Sequence, residues 1–169
     1  TVMESVRRLL VSRKDYDAMS ELMYCGSISH SDLTGLGRGK DFSVHKLSHP
    51  LSARYDATHG RALTALWGSW ARYVYKYDAA RFAQFAAELF GVNAGTDEER
   101  ARAGIRKMEE FFAEIGMPTS LAGLGIGTLS KGTIEEIASA ATSGDTITLG
   151  CFHPLTRADV IAIYETANH

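Results

Sequence analysis

The sequence has few of the features that mark secreted, membrane-spanning or nucleic-acid-binding proteins. Its two cysteines, Cys25 and Cys151, lie far apart and form no CxxC motif, which indicates a reducing compartment. The net charge is −2 and no basic run occurs, so nucleic acid is not expected as the main partner. No apolar stretch approaches the roughly 20 residues that span a bilayer, and no signal peptide is visible. The sequence therefore predicts a cytoplasmic protein without a membrane partner.

Strand signals are also scarce, whereas helical signals follow one another along the chain. No segment alternates apolar and polar residues over the length of a strand, and only residues 147–152 form a plausible extended piece. A chain of 169 residues is long enough to bury one sizeable core. We therefore expect a single all-α domain, a helical bundle, over residues 1–169.

Start and stop signals divide the chain into helices. Residues 96–99 have the form of a capping box, in which a threonine hydroxyl and a glutamate carboxylate each bind a backbone amide. Asp78 is expected to start a helix that Gly91 ends, and Thr156 is expected to start the last helix. The long apolar segment 60–77 is expected to be the central, most buried helix.

The first helix has a periodicity that is already established at residue 2. Val2, Val6, Leu9 and Leu10 recur at helical spacing, with almost nothing before them. We interpret this start as a cut inside or just before a helix of a larger protein, so that the chain is a fragment. The alternative is a natural short protein that has lost its leading methionine.

Three of the six histidines fall within fifteen residues, at His45, His49 and His59. Neutral imidazole is the commonest protein ligand for a divalent transition metal. His45 and His49 are four residues apart, so they share one face of a helix. Fourteen residues of straight helix rise roughly 21 Å, which is too far for His59 to share an ion bound at about 2.1 Å. The three can meet only if the chain reverses between them.

The residues between the histidines offer such a reversal. Pro50 suits the first turn of a helix or a helix break, and residues 56–58 suit a turn that places His59 at the start of the apolar helix. Asp41 and Asp56 lie close enough in sequence to add a carboxylate, or else serve as caps or solvated residues. The spacing alone leaves open whether the histidines hold a metal or are structural.

The stretch 41–60, with its pattern His-x3-His-Pro followed by His-Gly, closely resembles a segment of the iron-containing (group III) alcohol dehydrogenases. The resemblance is strongest to their butanol dehydrogenase-like branch. Weaker similarity in residues 25–37, 111–119 and 154–160 extends it in collinear order over essentially the whole chain. Members of this family have an N-terminal α/β domain that binds the dinucleotide and a C-terminal all-α domain that carries the metal. This chain resembles most of the second domain.

The resemblance implies a role for each histidine. His45 and His59 would bind Fe²⁺, with Zn²⁺ as an alternative. His49 would lie beside the metal and the nicotinamide as a catalytic or cofactor-binding residue, or would only donate a hydrogen bond to a neighbour. The family's other two ligands, an aspartate and a histidine on an earlier helix, have no counterpart here. They would precede Thr1, as would the domain that binds NAD or NADP.

The implied function is an NAD(P)-dependent interconversion of short-chain alcohols and aldehydes by hydride transfer, with the metal as Lewis acid. The implied partners are a small alcohol or aldehyde and the missing N-terminal domain, and a homodimer is compatible with the resemblance. The alternative is a catalytically silent helical domain for interaction or dimerisation. A glycerol dehydrogenase-like relative fits residues 50 and 55–60 less well. Because two histidines should hold metal weakly, the chain alone is expected to lack turnover.

Overall fold

Apolar periodicity and capping signals give the chain eight α-helices and no β-strand, which confirms the all-α prediction. The computed structural model describes residues 1–169. In chain order the helices are α1 (Val2–Val11), α2 (Tyr16–His30), α3 (Ser43–Tyr55), α4 (His59–Val74), α5 (Ala79–Phe90), α6 (Asp97–Glu114), α7 (Lys131–Ala141) and α8 (Arg157–Ala167). The expected extended piece is reduced to one isolated antiparallel bridge between Leu149 and Leu155. None of the helices combines the length and hydropathy that a membrane span requires.

Side-chain caps fix several helix starts where the sequence predicts them. The Thr96 hydroxyl accepts a hydrogen bond from the Glu99 amide, and the Glu99 carboxylate accepts one from the Thr96 amide. A second box of this form, between Thr156 and Asp159, starts α8. The side chain of Asp78 caps α5. These caps provide partners for amides that have none within their own helix, so each helix start is defined locally.

The chain divides into two compact units, residues 1–40 and residues 41–169. In the first unit α1 packs against α2, and Arg8 forms an ion pair with Asp15 at 2.8 Å. The second unit contains the hydrophobic core, to which α3 to α8 all contribute. The expectation of one domain over the whole chain stays a prediction.

Helix α4 is central to the second unit. It has more fully buried residues than any other helix, and it packs against α3, α6 and α8. Most of the buried residues are alanine, glycine or serine, whose small side chains allow the neighbouring helices to approach closely. The buried residues are Ala62, Ala65, Leu66, Gly68, Ser69, Ala71 and Val74. The apolar segment therefore takes its expected place, although α4 begins at His59 and ends at Val74.

Pro50 lies inside α3 and not in a first turn or at a break, so that expectation was wrong. Proline has no amide hydrogen, and its ring crowds the carbonyl four residues earlier. Tertiary packing outweighs this cost: Leu47 and Leu51 are fully buried, and the Tyr164 hydroxyl of α8 donates to the Leu47 carbonyl at 2.6 Å. Tyr164 is itself fully buried, and burial raises the pKa of its hydroxyl.

Helices α5 and α6 approach closely at a glycine. A Cβ atom on Gly104 of α6 would lie 2.5 Å from the Cβ of Ala86 and 3.0 Å from its Cα. Carbon atoms do not approach this closely without repulsion, since their optimal separation is about 3.5–4.0 Å. The absence of a side chain at Gly104 is therefore what permits this helix–helix distance.

We expect Gly104→Ala to destabilise the protein, although alanine favours the helix by about 1 kcal/mol. Overpacking a tight contact typically costs about 1–3 kcal/mol, and we expect a net loss in the free energy of unfolding measured in urea. Gly132→Ala in α7 is the matched control, because its Cβ would meet only the Ser130 hydroxyl, at 4.0 Å. That variant should be neutral or stabilised. An equal increase in the free energy of unfolding in both variants would contradict the close packing of α5 against α6 at Gly104.

Candidate functional site

The chain reverses between α3 and α4, at residues 56–58, where the sequence predicts a turn. Asp56 ends α3 in the left-handed conformation, with φ 52° and ψ 29°. Thr58 then precedes α4, whose first residue is His59. Because the two helices pack against each other, the start of α4 returns to the side of α3.

The three histidines come together at this reversal. The ring centroid of His59 lies 5.3 Å from that of His45 and 5.9 Å from that of His49. The His45 side chain is half-buried, whereas His49 and His59 are exposed. The structure therefore brings all three predicted site residues into one group, with His59 in the middle.

The spacing of His45 and His59 fits a cation that both rings share. Two imidazoles that bind one ion tetrahedrally, each at about 2.1 Å, have ring centres about 5 Å apart. Neutral imidazole nitrogens also suit Fe²⁺ and Zn²⁺ chemically. No group of three or more His, Cys, Asp or Glu side chains in the chain is arranged to hold a metal ion. The pair formed by His45 and His59 is therefore a candidate for part of a ligand set.

Ser48 is a member of the site that sequence reasoning missed. It is fully buried on α3, its hydroxyl donates to the His45 carbonyl at 2.8 Å, and the same oxygen lies 3.3 Å from Nδ1 of His59. A serine inside a helix often bonds to the backbone of its own helix, so its type carries no functional signal. Only the return of α4 along α3 shows that Ser48 also contacts His59.

His49 lies beside His59 and also lines a cavity. The cavity has a volume of about 320 Å³, within the range of ligand pockets, and it lies between α3 and the end of α7. Lys46 also lines the cavity, and the remaining lining residues are Pro50, Ala53, Ala140, Ala141, Ser143 and Ile147. A group bound in this cavity would lie beside one imidazole and one lysine side chain.

Asp41, four residues before His45, serves as an anchor for the backbone. Its carboxylate accepts hydrogen bonds from the Ser43 amide at 2.8 Å, from the Ser43 hydroxyl at 2.5 Å, and from the amides of Cys151 and Phe152 at 2.9 Å each. Burial raises the pKa of Asp41, but these hydrogen bonds outweigh it and hold the pKa below its usual value. Asp41 therefore ties the start of α3 to the loop before α8.

The other histidines have separate surroundings. His30 is the last residue of α2, and its Nδ1 lies 2.9 Å from the Gly26 carbonyl. The His153 ring stacks on Tyr77, with centroids 3.5 Å apart. Cys151 is an exposed, free thiol. None of these residues adds to the group around His59.

Comparison with known proteins gives a match over almost the whole chain. A family model described as Fe-containing alcohol dehydrogenase, C-terminal, matches residues 1–168. The NADH-dependent butanol dehydrogenase A of Clostridium acetobutylicum is 33% identical over 153 residues, which are 89% of this chain and 39% of that protein. A probable NADH-dependent butanol dehydrogenase 1 of Bacillus subtilis is 32% identical over 169 residues, 99% of this chain and 42% of its own length. The chain thus spans about two fifths of the length of these relatives.

Solved structures agree with this match. The crystal structure of NADH-dependent butanol dehydrogenase A from Thermotoga maritima has a TM-score of 0.90 at 28% identity, over 99% of this chain and 43% of that one. The aldehyde reductase YqhD of Escherichia coli, free of substrate and cofactor, has a TM-score of 0.89 at 25% identity, over 98% of this chain and 43% of that one. The all-helical fold is therefore that of the C-terminal part of these proteins.

We expect Asp41→Asn to lower the free energy of unfolding by about 1–2 kcal/mol at neutral pH, because it weakens charge-assisted hydrogen bonds of a half-exposed group. The folded-state pKa of Asp41 is lowered. Its stabilising contribution is therefore present above the unfolded pKa, near 3.9, and is lost as the pH falls through the folded pKa.

Urea unfolding at several pH values down to about 3 measures this difference. The gap between wild type and variant should close as the pH falls. Asp56→Asn is the control, because asparagine tolerates the left-handed conformation of this residue and should change little. A gap for Asp41→Asn that is independent of pH would contradict the anchoring role.

Proposed function

Since the chain belongs to the iron-containing alcohol dehydrogenase family, we propose that it is the metal-bearing C-terminal domain of an NAD(P)-dependent enzyme. The enzyme would interconvert short-chain alcohols and aldehydes by hydride transfer. The observation that carries the proposal is the convergence of His45, His49 and His59 at the α3–α4 reversal. Relatives named as NADH-dependent butanol dehydrogenases and as an NADPH-dependent aldehyde reductase support the reaction class and leave both cofactors open.

In this proposal His45 and His59 each offer one ring nitrogen to Fe²⁺, or to Zn²⁺. A bound cation would act as a Lewis acid on the substrate oxygen. Two imidazoles are fewer than the three or four protein ligands of most catalytic metal sites. We therefore place the other ligands and the dinucleotide-binding domain in a further part of the enzyme, in line with the fraction of its relatives that this chain spans.

His49 is proposed to position the cofactor or the substrate. Its ring lies beside His59 and at the wall of the 320 Å³ cavity, where it can hold or transfer a proton at a ring nitrogen. Lys46 also lines this cavity, and its positive charge would attract an anionic group of a bound molecule. Both side chains come from α3, which also carries His45, so this helix would position the ligand and supply one of the two proposed cation ligands.

The ligand roles can be tested without turnover. Calorimetric titration of the metal-free chain with Zn²⁺ should show one weak site, and His45→Ala or His59→Ala should each lower the affinity at least about tenfold. His49→Ala should have a smaller effect. His30→Ala is the matched control, because His30 lies in the first unit and its ring makes hydrogen-bond contacts within its own helix. Equal affinities in all variants would contradict the shared site.

The reaction requires a test with the rest of an enzyme. The chain alone is expected to show no butanal-dependent oxidation of NADH or NADPH. A chimera in which this chain replaces the matched part of the Clostridium relative should reduce butanal, and His59→Ala should abolish that activity. A folded chimera that binds NADH without reducing butanal would favour the alternative of a catalytically silent interaction domain.

A further inference from the structure

We propose that Ser48 fixes the tautomer of His59, so that Nδ1 carries the ring proton and Nε2 is left free to bind the cation. This inference rests on the proposed ligand role of His59. The Ser48 side chain is fully buried, with its oxygen 2.8 Å from the His45 carbonyl and 3.3 Å from Nδ1 of His59. Ser48 is thus a positioning residue that touches the backbone of one proposed ligand and the ring of the other.

The position of the single hydroxyl hydrogen of Ser48 decides whether Ser48 donates to His59 or accepts from it. Two acceptors compete for it: the carbonyl oxygen at 2.8 Å lies at the usual O–H···O distance, whereas Nδ1 at 3.3 Å is the longer contact, just past the usual N···O range of about 2.7–3.2 Å. The hydrogen therefore points to the carbonyl, and a lone pair of the Ser48 oxygen faces His59. Only a protonated Nδ1 makes a hydrogen bond to that lone pair.

A neutral imidazole with its proton on Nδ1 has its lone pair on Nε2. Metal-binding histidines usually donate their other ring N–H to an oxygen partner, which orients the ring and raises the basicity of the ligand nitrogen. Ser48 supplies this partner to His59 from the helix that carries His45. The relative placement of the two imidazoles is then coupled through one buried hydroxyl.

The tautomer can be read from long-range ¹H–¹⁵N correlation spectra of the metal-free, ¹⁵N-labelled chain at a pH where the histidines are neutral. The wild type should show a protonated Nδ1 on His59, a signal assigned by its loss in His59→Ala. Ser48→Ala should shift His59 towards the Nε2-protonated form. Ser52→Ala is the matched control: Ser52 lies one turn further along α3, its hydroxyl is also buried, and it has no hydrogen-bond partner.

Zn²⁺ titration provides a second measurement. Loss of such a hydrogen-bond partner typically lowers metal affinity 10–100-fold, so we expect at least a tenfold loss in Ser48→Ala and none in Ser52→Ala. A wild-type His59 protonated on Nε2, or a tautomer that Ser48→Ala leaves unchanged, would overturn the proposal. Failure of the wild type to bind Zn²⁺ would instead reject the ligand role of His59, while the spectra would still decide the tautomer.

Discussion

The return of α4 along α3 is the constraint on which the candidate site depends. His45 and His49 belong to one helix face by their spacing, but His59 reaches them only because the chain turns at residues 56–58. Without this turn, fourteen helical residues would separate His45 and His59 by roughly 21 Å. With it, their ring centres are 5.3 Å apart. The chemistry proposed for the site is therefore a property of a helix pair and not of a local motif.

The turn is held by packing on the side of α3 that faces the core. Leu47 and Leu51 are fully buried there. The buried hydroxyl of Tyr164 donates to the carbonyl of Leu47, which lies between His45 and His49 in the sequence. These contacts keep α3 continuous through Pro50, whose ring would weaken an isolated helix. The exposed face of the same helix then presents His49, so one helix joins the core to the site.

Local signals predicted much of the fold. The capping box at residues 96–99 and the helix start at Thr156 depend on residues within one turn, and both appear where expected. One expectation was wrong: Pro50, expected in a first turn or at a helix break, lies inside α3. Tertiary packing, which the local pattern does not contain, determined this outcome.

The candidate site was predictable in part. His45, His49 and His59 stood out by their number and by their resemblance to a known metal-binding stretch, and the structure brings them together. Ser48 could not be found in this way, since its contact with His59 exists only after α4 folds back onto α3. For Asp41 the sequence left open a carboxylate ligand, a cap or a solvated residue, and the structure shows four hydrogen bonds to its carboxylate, three of them from backbone amides.

The most direct measurement of whether His45 and His59 share a cation is anomalous diffraction from crystals of this chain grown with Zn²⁺. The account predicts one peak about 2.1 Å from a ring nitrogen of His45 and of His59. A peak bound to only one of these rings, or to other histidines, would contradict it.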